Sequence, residues 1–190
     1  MHTNDRYDPF NNRLCRNVRN ALSESFRSAL EKKDLQPVHD VAQIFLDEPL
    51  PAYVSDYIHR RLSAYEKVLE TLMSKHLANP LDIAMVIWDR QLFFETHEYL
   101  EPHWMAATGK KKRLLLALIR AAGVYVHLEQ GNIGAARRIA EKAIEGLLQD
   151  KDRLTAHADP QRLLDKLKTL DPVPPTLYGT GGPPQSSIDR

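Results

Sequence analysis

Cysteine is almost missing from this chain: Cys15 stands alone among 190 residues. No internal disulfide can form and no cluster of thiolates can hold a metal, which fits a reducing compartment. An excess of charge of one sign is missing too. Lysine and arginine total 26 against 25 acidic residues, leaving a net charge of +1. That balance gives no electrostatic reason to expect nucleic acid or an anionic membrane as partner. The longest aliphatic run, Leu114 to Ile119, is too short to span a bilayer. The opening residues, MHTNDRYDPFNNR, have no apolar core of a signal peptide, so a cytoplasmic location is the expectation. No Gly-rich phosphate loop, nucleophile elbow or Ser-His-Asp order is present.

What is there suits a helical fold. Hydrophobic residues make up 43% of the chain, enough for a real core, and charged residues 27%, ordinary for a soluble protein. A helical period runs from Arg13 to about Lys33 through Val18 and Leu22. Pro37 suits the first turn of a short second helix, and a long third helix spans about Ala52 to Leu77. Asn79-Pro80 marks a boundary. Beyond it come an apolar helix at 81–88 and a further helix from about Arg90, which Asp89 is placed to cap. Pro102 should end or kink that helix. Two further helices are separated by Gly131-Asn132, and a last one starts at Asp159-Pro160. No strand pairs appear. The expected fold is all-α, a bundle of six to seven helices. Residues 13–79 read as an N-terminal helical extension and 80–170 as a helical core. Residues 1–12 and the Pro/Gly-rich 171–190 read as disordered.

The chemistry concentrates between Phe93 and Trp104. On a helix His97 and Glu101 are four residues apart and share a face, with Glu98 beside them. Burying such groups is costly unless they pair with each other, a metal or a ligand. The zinc-protease pattern needs a second histidine where Glu101 stands. A histidine and a carboxylate can still share a metal, with His127 as the candidate third ligand. Glu95 points away from that face. The Glu-x-x-His pairs of di-iron bundles are absent.

A second constellation is Arg120, Gly123 and His127, at i, i+3 and i+7 on the following helix. Gly123 costs helix stability relative to alanine, so a close helix contact there is expected. In an antiparallel hairpin that contact brings Arg120 and His127 towards His97, Glu98 and Glu101. The cluster is then either a satisfied polar clasp, with Arg120 neutralising a carboxylate, or a metal or small-anion pocket. The small residues from Gly131 to Ala143 resemble the second half of a tetratricopeptide repeat without its period. Lys110 to Arg113 reads as a solvated basic face, and Trp88, Phe93, Phe94, Tyr99 and Trp104 as core.

The series Phe94-Glu95-x-His97-Glu98-x-Leu100-Glu101-x-x-Trp104, then Leu118-Ile119-x-Ala121-Ala122, His127, Gly131-Asn132 and Gly134-Ala135, resembles a prokaryotic family. That family is catalogued only as a domain of unknown function, number three hundred and nine. The resemblance covers residues 88–148 and implies a small helical bundle with no established activity. It marks His97, Glu98, Glu101, Trp104 and His127 as the matching polar and aromatic positions. Arg120 departs from the glutamine expected there.

The favoured expectation is a binding or interaction module without a cofactor, its polar cleft lined by His97, Glu98, Glu101, Trp104, Arg120 and His127. The alternative is a metal-dependent enzyme, most plausibly a hydrolase, using a divalent metal such as zinc. His97, Glu101 and His127 would then be ligands and Glu98 the catalytic general base. The partner is unspecified, and the apolar residues of the first and third helices suit either a homo-oligomer or a single core.

Overall fold

The computed structural model describes residues 6–181, which fold as an all-α bundle with eight α-helices and no strand among them. The chain divides into two compact units, Met1–His76 and Leu77–Arg190. No helix among the described residues is long and apolar enough to cross a membrane.

The first unit holds α1 (Arg13–Lys32), α2 (Gln36–Leu46) and α3 (Ala52–Ser74). Asn12 starts α1 by accepting from the Cys15 N–H at 3.2 Å. The left-handed Lys33 stops it, at φ 55°. Val18, Leu22 and Phe26 recur on one face of α1, and Val54, Ile58 and Tyr65 on one face of α3; all are buried. The Phe26 and Tyr65 rings stack with centroids 4.0 Å apart. The apolar stripes of both helices are therefore spent on this unit's own core. Residues 6–12, inside the stretch expected to be loose, form an ordered turn. The buried Asp8 carboxylate accepts from the N–H groups of Phe10 (2.9 Å) and Asn11 (3.2 Å). Its pKa is lowered, first by the Asn11 side chain. The rest of that expectation, at residues 1–5, lies outside the described residues.

The second unit runs α4 (Pro80–Asp89), α5 (Phe93–Ala106), α6 (Gly109–Glu129), α7 (Ile133–Asp150), a 3-10 turn (Lys151–Arg153) and α8 (Pro160–Thr169). Asn79 caps α4 and Asp159 caps α8, each accepting at 2.9 Å from an N–H two residues on. Helix α6 is the centre: it packs on α7 along one side and on α5 along another. Its apolar residues accordingly occupy two faces, with Leu114, Leu118, Ala121, Ala122 and Tyr125 all buried. Trp88, Phe93 and Tyr125 join α4, α5 and α6 through ring contacts of 4.9 to 5.1 Å.

Three details differ from the sequence expectation. First, α5 does not end at Pro102 but continues to Ala106. The ring is exposed, and the helix forgoes one bond to the Glu98 carbonyl while Leu100 stays packed. Second, Asp89 caps nothing in α5. Its carboxylate accepts from the N–H groups of Leu177 (2.8 Å) and Tyr178 (3.0 Å). Third, these bonds pin the described part of the tail, residues 171–181, whose composition suggests that it cannot pack. Leu177 is fully buried, and the Trp88 indole donates to the Pro175 carbonyl at 2.9 Å. Residues 182–190 lie outside the described residues.

Candidate functional site

Helix α5 forms because its apolar residues suit two neighbours: Phe93 and Leu100 are buried, and α4 and α6 both pack on it. Glu95 lies in its first turn, where a carboxylate favours the helix dipole, and is itself buried. Thr96 is buried beside it, with its hydroxyl donating to the Leu92 carbonyl at 2.9 Å. Glu95 is thus the most enclosed acid of the segment, although sequence spacing places it off the site face.

The structure brings His97, Glu98 and Glu101 together. Each offers a ligand atom, and the three atoms lie within 4.8 Å of one another, at half-buried positions. Among the described residues His97 and Glu101 make no hydrogen bond or ion pair. Trp104 continues the stripe one turn on. Its indole Nε1 is buried without a hydrogen-bond partner, and the Lys112 ammonium stands 5.1 Å from its ring centroid. Nearby, burial holds the His103 pKa below its ordinary value, with Lys111 adding to the effect.

The other expected members are placed differently. Arg120 makes no ion pair with a carboxylate among the described residues. Its guanidinium reaches the Lys142 carbonyl of α7 at 3.5 Å, the outer limit for a hydrogen bond. A Cβ at Gly123 would meet Ile139 of α7 at 4.0 Å, an ordinary contact. His127 is not one of the three clustered donors. Burial lowers its pKa first, and Arg138 of α7 lowers it further. The close helix contact belongs to Gly146 instead, where a Cβ would lie 2.9 Å from that of Ala117. Arg120 and Gly123 thus look towards α7, and the arginine clasp expected on the α5 acids is not formed among the described residues.

Several engaged groups carried no local sequence signal. Arg113 binds the buried Asp150 through Nε at 3.0 Å, so the run from Lys110 is not simply a solvated face. His157 Nδ1 meets Asp82 at 2.8 Å across 75 residues of chain. A spacing rule within one helix cannot find pairs so separated.

An all-α bundle with a polar stripe on its second helical hairpin is the class of protein these features define. Residues 81–139 match the family model described as "Domain of unknown function (DUF309)". The match covers α4, α5, α6 and the start of α7, and so contains the clustered donors. No curated protein and no solved structure matches the chain.

Proposed function

We propose that the second unit is a binding module whose α5 face, His97, Glu98 and Glu101, takes a divalent cation. The observation that carries this reading is the set of three ligand atoms within 4.8 Å of one another, on residues of which His97 and Glu101 have no protein partner. Two carboxylates and an imidazole so close are oxygen and nitrogen donors of the kind that suit zinc or manganese. The positive charge that counts against a cation, on Arg120, is directed to α7. Three ligands on one helical turn leave coordination positions for water or a second molecule. The indole N–H of Trp104 offers a donor on the same stripe.

The reading stops at binding. A hydrolase would need Glu98 as base and His127 as ligand, yet Glu98 sits within the donor group and His127 outside it. Calorimetric titration of metal-free protein with Zn²⁺ and Mn²⁺ tests the proposal. One ion per chain is expected, with affinity reduced at least about tenfold in Glu101→Gln and in His97→Gln. No saturable binding by the parent, or equal binding by both variants, rejects it.

A further inference from the structure

The first unit carries a surface pocket of about 480 Å³ that is open to solvent, with Arg6, Asp56, His59 and Arg60 exposed along it. One wall is α3, which presents Tyr53, Asp56, His59 and Arg60; the other is the turn before α1, with Arg6 and Tyr7. Tyr53, Asp56 and Arg60 fall at i, i+3 and i+7 and so share one helix face. The opposite wall is held in place. The Tyr7 ring stacks on Tyr57 with centroids 3.6 Å apart, and its hydroxyl donates to the Cys15 carbonyl at 2.5 Å. Burial pushes the Tyr7 phenol pKa well up, so it stays a neutral donor.

The lining is rich in anion-binding groups. Two guanidiniums and an imidazole line it with one carboxylate, although Arg6 is already engaged within the protein. Asp56 and Arg60 are spaced for an i,i+4 ion pair but do not form one. The Arg60 Nε instead donates to the Asp56 backbone carbonyl at 3.3 Å. Among the described residues the terminal nitrogens of that planar fork have no acceptor, and the Tyr53 and His59 side chains make no hydrogen bond. Arg60 and His59 both line the pocket, and a guanidinium fork can hold phosphate oxygens by two parallel hydrogen bonds. An aromatic ring at the rim supplies an apolar surface, and the Asp56 carboxylate an acceptor for a hydroxyl or amine.

We propose that this pocket binds a phosphate-bearing small molecule, with the phosphate on Arg60 and His59 and the organic part against Tyr53. The site is independent of the α5 face and lies outside the residues matched to the family.

Phenyl phosphate titrated into the full chain, followed by its phosphorus NMR signal and by calorimetry, is the test. Saturable binding is expected, weakened at least about tenfold in Arg60→Gln, as loss of a charge-assisted hydrogen bond implies. Arg27→Gln removes an exposed arginine that does not line the pocket and should bind as the parent does. Absence of saturation in the parent overturns the proposal. So does equal weakening in both variants, which would reduce the effect to general surface charge, or a Kd unchanged in Arg60→Gln.

Discussion

Where α6 meets α7, charged side chains are committed to the protein: Arg113 holds the buried Asp150 at 3.0 Å, and Arg120 reaches a backbone carbonyl. On α5, only one helix away, His97 and Glu101 are half-buried and make no hydrogen bond or ion pair among the described residues. One region satisfies its charged groups internally; the other, on the reading proposed above, leaves two of them for a cation. Polarity within an apolar helix is therefore no sign of function until its partners are known. What supports binding on α5 is the closeness of three donor atoms, two of them on His97 and Glu101, which make no hydrogen bond or ion pair among the described residues.

The largest expected contrast is in stability. Arg113→Ala should cost about 2–3 kcal/mol, because it strands a buried carboxylate, whereas His97→Ala should stay within about 0.5 kcal/mol of the parent. Denaturant unfolding of the two variants measures this, and equal losses would erase the distinction between the regions. Asp89→Ala extends the contrast to the tail. It removes the acceptor of two backbone N–H groups and should cost about 2 kcal/mol, with faster proteolysis near residues 171–181.

The glycines sharpen it further. Gly146→Ala forces a methyl to 2.9 Å from Ala117 and should destabilise by about 1–2 kcal/mol. Gly123→Ala meets only an ordinary contact and should gain about 0.5–1 kcal/mol from helix propensity. Opposite signs in thermal melts support Ala117 of α6 as the close neighbour of Gly146. A destabilising Gly123→Ala would return the tight contact to the position that spacing alone suggests.

The smallest effect concerns acid. Burial, then Arg138, hold the His127 pKa below 6.5, so the folded state favours the neutral ring. Its stabilising contribution is present above pH 6.5 and is lost as pH falls through the lowered folded value. The drop in melting temperature from pH 7.5 to pH 5 should be smaller in His127→Gln than in the parent. A larger drop in that variant would contradict this placement.

Much of this architecture is legible in the sequence. Punctuation by Asn79-Pro80, Gly131-Asn132 and Asp159-Pro160 marks the helices, and a four-residue spacing suffices to put His97 and Glu101 on one face. What spacing cannot say is which neighbour a stripe confronts. Helix α6 is apolar on two faces because it packs against two helices, so the stripe of Arg120, Gly123 and His127 had two candidate partners. Gly146 was hidden among alanines that suit any close pair of helices. Asp89 and Leu177 meet across 88 residues, where a Pro/Gly-rich composition outweighed two side chains able to pack. Pro102 shows the limit of a local rule, since an exposed ring costs one bond without ending the helix.

The most direct measurement is thermal unfolding of the parent and the His97→Ala/Glu101→Ala double variant, each in EDTA and in excess Zn²⁺. The account predicts equal melting temperatures in EDTA and a metal-dependent rise in the parent alone, since an ion that binds only the folded state stabilises it. A double variant that already melts lower in EDTA, or a parent that zinc leaves unmoved, would contradict it.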